Sequence, residues 1–121
     1  MLKKTPIYPY HKEKAKLIEF AGFEMPLWYK GITEEHLSVR EKVGLFDVSH
    51  MSRFYIKGKG ATDFLNYLVP TDVLKVTGGK GFYTVMCNER GGIVDDGVIL
   101  KFNEENYLAI FNAINREKDW L

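Results

Sequence analysis

The segment that most restricts the fold is residues 81–113, where three runs with β-strand character are separated by two turns. The first run covers residues 81–88, the second 93–102 and the third 107–113. The sequences between them, ERGG and NEEN, have the flexible and polar residues that hairpin turns favour. Strands joined by such short turns run antiparallel. The chain is therefore predicted to contain a three-stranded antiparallel meander.

Two helical patterns precede this meander. Residues 33–44 offer Thr33 as an N-cap, followed by two glutamates in the first turn, where the helix dipole favours negative charge. Residues 60–70 place apolar side chains at positions i, i+3, i+4 and i+7 and end at a proline. Both segments are therefore predicted to form short helices that flank the sheet.

The remaining segments are predicted to be extended or to begin a further helix. Residues 16–29 form two extended pieces, the second broken at Pro26, and residues 45–58 are extended. Residues 114–121 begin a helix and stop at two large apolar residues without a cap, so we expect the chain to be cut from a larger protein. Hairpins separated by single helices predict an α+β fold, an antiparallel sheet with short flanking helices.

Composition excludes several classes of function. The chain has 121 residues with 17 basic and 16 acidic side chains, and it lacks the basic stripe that nucleic-acid binding requires. It contains neither an apolar run of membrane-spanning length nor a secretory leader, so no membrane partner is expected. The single cysteine, Cys87, excludes an internal disulfide and suits a reducing compartment. We therefore expect a cytoplasmic protein.

Two adjacent aspartates, Asp95 and Asp96, interrupt the second strand of the meander. Successive side chains of a strand point to opposite faces, so these two cannot share a proton as a catalytic dyad. One interpretation is that one carboxylate faces water while the other binds a backbone donor or a basic group. The alternative is that one of them faces a ligand, since Gly97 beside them would let a ligand or another backbone approach closely.

Other polar clusters support a structural role better than a chemical one. Asp47, Ser49 and His50 lie within four residues, but a catalytic triad is assembled across a fold, so hydrogen bonds to nearby backbone are expected here. The three histidines do not have the spacing of metal ligands, and no metal site is predicted. Cys87 lies in an apolar strand, where a neutral thiol is the usual state.

Five segments of the chain together resemble one family, the glycine-cleavage-system T proteins, which are aminomethyltransferases. The block GLFDVSHM followed some forty residues later by GGIVDD is the most specific part of the resemblance. The five segments, which extend over nearly the whole chain, are TPIYPYH (5–11), EFAGFEMPLWY (19–29), EEHLSVREKVGLFDVSHM (34–51), GGIVDD (91–96) and FNAINREKDW (111–120).

The resemblance implies an activity and a set of site residues. T proteins take an aminomethyl group from the lipoyl arm of H protein, release ammonia and pass the one-carbon unit to tetrahydrofolate. The second aspartate of the GGIVDD motif contacts the folate in the family and is its main catalytic carboxylate, which assigns that role to Asp96. Met51, Tyr83 and Asn112 match positions that line the folate channel, so the resemblance implies that they bind the cofactor.

The resemblance also implies a domain organisation. Residues 1–52 would belong to the first folate-binding domain, and residues 53–121 would form much of a ferredoxin-like second α+β domain. The chain alone would then be inactive. Departures from the family at Ser52, Arg53 and Leu100 leave the one-carbon donor open. A folate-dependent demethylase on the same scaffold and a non-catalytic folate-binding module are therefore the alternatives.

Overall fold

The computed structural model of the protein describes residues 1–120 and divides the chain into two compact units, Met1–His50 and Met51–Leu121. The first unit contains α1 (Tyr8–Lys14), β1 (Lys16–Phe20), β2 (Phe23–Trp28) and α2 (Ile32–Glu41). The second contains β3 (Ser52–Lys57), α3 (Ala61–Leu68), β4 (Lys80–Cys87), β5 (Ile93–Asn103), β6 (Asn106–Phe111) and α4 (Arg116–Trp120). The assignment of residues 1–52 to a first folate-binding domain and of residues 53–121 to a second α+β domain stays a prediction.

In the first unit, the two extended pieces predicted for residues 16–29 are β1 and β2, which pair as an antiparallel hairpin. Its turn is made by Ala21 and Gly22, both with positive φ angles. The expected break at Pro26 is wrong, because β2 continues through this residue to Trp28. A two-stranded sheet has only edge strands, where a proline without an N–H group is tolerated, and the pairing shifts register next to this position.

Helix α2 occupies most of the predicted segment, but its N-terminus is held differently. Gly31 is the N-cap residue and no side chain caps it there, so the prediction for Thr33 is wrong. The Glu35 carboxylate instead accepts hydrogen bonds from the backbone N–H groups of Tyr29 (2.6 Å), Lys30 (2.6 Å) and Gly31 (3.2 Å). These bonds lower the pKa of Glu35, and the bond from Lys30 contributes most.

A buried histidine connects the start and the end of the first unit. His11 is 1% exposed; its Nε2 lies 2.7 Å from Asp47 Oδ2 and its Nδ1 lies 2.6 Å from the Tyr29 hydroxyl. Burial would raise the pKa of Asp47, but hydrogen bonds from His11 and Ser49 outweigh it and lower the pKa. The Ser49 N–H donates to Asp47 Oδ1 at 2.9 Å, as expected for a polar turn.

The second unit is built on a four-stranded sheet in the order β3-β6-β5-β4, with all neighbours antiparallel. Strands β4, β5 and β6 are the predicted meander, and β3 joins it through pairing of Ser52 with Phe111. The α+β fold with an antiparallel sheet and short flanking helices is confirmed. One face of the sheet and α3 enclose the hydrophobic core, whose buried residues are Ala61, Leu65, Val69, Val73, Met86, Ile99, Tyr107, Ala109 and Phe111.

The segments before and after the sheet are predicted as an extended stretch, residues 45–58, and as the start of a helix, residues 114–121. Within residues 45–58 only β3 forms a strand. After β6, a 3-10 turn at Ala113–Asn115 leads into α4, in agreement with the predicted start of a helix. The last predicted helical residue, Leu121, lies outside the described residues. Through residue 120, every helix is too short or too polar to cross a membrane.

Candidate functional site

The two aspartates of β5 lie on opposite faces of the sheet, as expected from the strand geometry. Asp95 lies on the core face and is 5% exposed. Asp96 is half-buried on the other face, next to Val98, which is 38% exposed. The alternation of buried and exposed positions along β5 fixes this arrangement. The two carboxylates are therefore in different environments although they are adjacent in sequence.

The face that carries Asp96 is the one turned away from α3, and we call it the open face. It is apolar and partly aromatic, with exposed fractions of 66% for Tyr55 and 67% for Tyr83. Its residues, in strand order, are Arg53, Tyr55, Leu108, Ile110, Asp96, Val98, Leu100, Tyr83 and Val85. Exposed aromatic and aliphatic groups around one carboxylate are the kind of surface that binds a flat heterocycle.

Both oxygens of Asp96 accept a hydrogen bond from a predicted site residue. The Tyr83 hydroxyl donates to Oδ2 at 2.8 Å, and Asn112 Nδ2 donates to Oδ1 at 3.0 Å. The hydrogen bond to Asp96, together with partial desolvation, raises the pKa of Tyr83. A carboxylate has about four acceptor positions, so Asp96 keeps capacity for a ligand. The structure thus brings Asp96, Tyr83 and Asn112 into direct contact.

Met51 is connected to this group through its backbone. Its neighbour Ser52 donates from Oγ to the carbonyl oxygen of Asn112 at 3.1 Å, and Arg116 donates to the carbonyl oxygen of Met51 at 3.2 Å. The half-buried Met51 therefore lies at the end of β3 next to the end of β6. Its predicted contact with a cofactor stays a prediction.

The sequence did not reveal what holds Asp95. Its carboxylate accepts from the backbone N–H of Asn112 (3.1 Å), from Asn112 Nδ2 (2.8 Å) and from Asn115 Nδ2 (2.9 Å). Burial would raise the pKa of Asp95, but these amide donors outweigh it and lower the pKa. The only signal in the sequence is the pair of asparagines in the NAIN segment that follows β6.

Asp119 of α4 lies close to Asp95, and each of the two carboxyl groups shifts the pKa of the other. Both Asp119 oxygens are shielded from water and receive no hydrogen bond from a donor. Burial, the contact with Asp95 and the charge of Asp95 raise the pKa of Asp119 to about 6, while Lys118 opposes the shift. Lys118 itself donates to the carbonyl oxygen of Val94 at 2.7 Å. Asp119 therefore holds its proton to a higher pH than Asp95 does.

This pair makes the stability of the protein depend on pH. A carboxyl group whose pKa is raised in the folded state contributes most when it is protonated, and the contribution is lost as pH rises from about 4 to about 6. Asp119→Asn keeps a donor for Asp95 and removes the titration. We expect the Tm of this variant to exceed the wild-type Tm above pH 7 and to match it near pH 4. Thermal unfolding between pH 4 and 8 measures the two Tm values, and Asp63→Asn, a substitution at an exposed position, serves as the control. A Tm difference between Asp119→Asn and the wild type that does not vary with pH would contradict the prediction.

A cavity of about 740 Å³ lies elsewhere, in the first unit. Its lining includes Met25, Trp28, Tyr29, Phe46 and Asp47, and none of the predicted site residues belongs to it. In the part of the chain that the structure describes, no three His, Cys, Asp or Glu side chains are grouped to hold a metal ion. Asp96, Tyr83 and Asn112 on the open face therefore remain the candidate site.

Comparison with known proteins gives consistent matches over almost the whole chain. Residues 7–121 match the family described as the GCVT N-terminal domain. Proteins called aminomethyltransferase from Thermotoga maritima and Staphylococcus carnosus are 48% and 46% identical over 120 residues, which cover 98% of the chain and 33% of each relative. The crystal structure of glycine cleavage system aminomethyltransferase T from Bartonella henselae matches with a TM-score of 0.93 and 39% identity, over 98% of the chain and 34% of that protein. The chain thus spans about a third of the length of these relatives.

Proposed function

Since the chain belongs to the family of GCVT N-terminal domains, we propose that it forms part of an aminomethyltransferase of the glycine cleavage system. In this proposal the full-length protein takes the aminomethyl group from the lipoyl arm of H protein, releases ammonia and transfers the one-carbon unit to tetrahydrofolate. The reaction belongs to glycine catabolism and takes place in the cytoplasm. Because the chain spans a third of its relatives, we expect it to be inactive by itself.

The observation that carries the proposal is the position of Asp96 on the open face. The half-buried carboxylate is surrounded by aliphatic side chains and receives hydrogen bonds from Tyr83 and Asn112. Tetrahydrofolate has a flat pterin with N–H donors, which suits an apolar surface with one carboxylate acceptor. Met51, Tyr83 and Asn112 are the residues proposed to contact it.

The environment of Asp96 suits the chemistry of one-carbon transfer. When a folate nitrogen attacks the methylene carbon of the aminomethyl group, the bond from that carbon to the leaving ammonia breaks, positive charge develops on the attacking nitrogen and a proton must leave it. The bond to the lipoyl sulfur breaks when the second folate nitrogen binds the same carbon, and the lipoyl arm leaves as a thiol. The Asp96 carboxylate stabilises this charge and takes up the proton in the proposed reaction. Tyr83 and Asn112 hold the carboxylate in one orientation, so little reorganisation is needed when the charge develops.

The identity of the donor tests the proposal. The full-length protein that carries the chain is incubated with tetrahydrofolate and either aminomethyl-lipoyl H protein or a small methylated amine or methoxy compound. We expect ammonia and methylenetetrahydrofolate from the H protein donor only, and no product with the 121-residue chain alone. Product formation from the small donors, with none from H protein, would instead identify a folate-dependent demethylase.

A further inference from the structure

The buried aspartate beside the candidate catalytic residue is connected to it through one asparagine. Asn112 Nδ2 lies 2.8 Å from Asp95 Oδ1 and 3.0 Å from Asp96 Oδ1, and it also reaches the Asp96 carbonyl oxygen at 3.2 Å. We propose that Asp95 is a positioning residue: its carboxylate fixes Asn112, and Asn112 fixes the Asp96 carboxylate on the open face. This inference rests on the function proposed above for Asp96.

The position of Asn112 depends on side chains because the sheet ends just before it. Phe111 is the last residue of β6 to pair with both β3 and β5. The Asn112 N–H donates to Asp95 Oδ2 at 3.1 Å, and its carbonyl oxygen accepts from Ser52 Oγ at 3.1 Å. Asp95 therefore holds both the main chain and the side chain of Asn112.

The direction in which the Asn112 side chain points is set by charge and burial. Asp95 is 5% exposed, and a buried carboxylate must be compensated by strong donors. Asn112 Nδ2 supplies one such donor and has a second N–H that is directed towards Asp96. The carboxylate of Asp95 thus fixes the amide so that its nitrogen, and not its oxygen, faces Asp96.

Asn115 provides the matched comparison. It also donates to Asp95 Oδ1, at 2.9 Å, but within residues 1–120 its side chain has no hydrogen bond to Asp96. If Asp95 only stabilised the junction between β6 and α4, loss of either asparagine contact would have a similar effect on the enzyme. If Asp95 acts through Asn112, loss of the Asn112 contact lowers kcat, whereas loss of the Asn115 contact does not.

The test is a double-mutant cycle in the full-length protein, with kcat and KM measured for transfer from aminomethyl-lipoyl H protein to tetrahydrofolate. We expect Asp95→Asn to lower kcat on the order of 10²-fold, because misplacing a catalytic group costs about that much, and to change KM by less than about threefold. Asn115→Ala and the control Asp63→Asn should keep kcat within about threefold. In the Asn112→Ala background, Asp95→Asn should lower kcat less than about twofold further.

Three outcomes would overturn the inference: wild-type kcat in Asp95→Asn, an equal loss in Asn115→Ala, or losses in Asp95→Asn and Asn112→Ala that multiply. If Asp95→Asn loses its native circular dichroism spectrum, Asp95→Glu replaces it, which keeps the charge and displaces the carboxylate by one methylene. For Asp95→Glu we expect the same loss of kcat, and the same small further loss in the Asn112→Ala background. Asp96→Asn is measured in parallel: if it keeps full activity, the proposed role of Asp96 fails, whereas if it alone loses activity, only the positioning by Asp95 fails.

Discussion

Asp96→Asn in the full-length protein is expected to lower kcat for one-carbon transfer by about 10²- to 10⁴-fold, the usual contribution of a general acid or base. The substitution keeps the size of the side chain, and the Tyr83 hydroxyl and Asn112 can still bond to the amide because a hydroxyl both donates and accepts. The protein should therefore fold normally while the charge that stabilises the reacting nitrogen is absent. Steady-state transfer from aminomethyl-lipoyl H protein measures the effect.

Folate binding separates catalysis from simple binding in this experiment. We expect the Kd for tetrahydrofolate to rise less than about tenfold in Asp96→Asn, since the amide oxygen can still accept a hydrogen bond and only the difference between a charged and a neutral acceptor, about 1 kcal/mol, is lost. Asp63→Asn, the same change at an exposed position of α3, serves as the control for both measurements. Unchanged turnover in Asp96→Asn, together with retained folate binding, would favour the non-catalytic folate-binding module.

The second large effect is expected at Gly97, the residue after Asp96. A Cβ atom at this position would lie 2.3 Å from the carbonyl oxygen of Ile110 and 2.5 Å from the ring of Phe111. Both neighbours belong to β6, and the backbone oxygen cannot rotate away. We expect Gly97→Ala to lower the free energy of unfolding by about 3 kcal/mol, the upper end for overpacked cores. Chemical denaturation followed by circular dichroism measures this change.

Gly81 provides the matched control because it lies in the neighbouring strand β4 of the same sheet. A Cβ atom there would lie 2.7 Å from the end of the Leu100 side chain, and this methyl group can move by rotation, whereas its next neighbours are at an ordinary contact distance of 3.7 Å. Gly81→Ala should therefore change the unfolding free energy by less than about 1 kcal/mol. Equal effects at the two glycines would show that loss of glycine in the sheet, and not the contact with β6, is responsible.

The elements that the sequence predicted well are those specified by local pattern. The meander of β4, β5 and β6 follows from alternating side chains and short turns, and α3 follows from its apolar spacing. The opposite orientation of Asp95 and Asp96 follows from strand geometry alone. For Gly97 the sequence allowed either a ligand or a backbone to approach closely, and the structure shows the backbone of β6.

The features that the sequence missed depend on residues far apart in the chain. Asp47 is bound to nearby Ser49, as its local sequence suggests, but also to His11, 36 residues away, which the sequence did not indicate. Asp95 is held by Asn112 and Asn115, which reach it only because β6 pairs with β5. Such contacts leave no periodic signal, because they require the tertiary fold before the partners are neighbours.

The order of strands in the second unit also bears on how this unit folds. Strand β4 pairs with β5 and β5 pairs with β6, each the next strand in sequence, whereas β3 pairs with β6, and Ser52 lies opposite Phe111. Contacts between sequence neighbours close short loops and form early, whereas a pairing across such a distance costs more chain entropy. The hairpins are therefore expected to precede the docking of β3, which brings Ser52 to the carbonyl oxygen of Asn112 last. The geometry of the candidate site would then be completed only in the final step of folding.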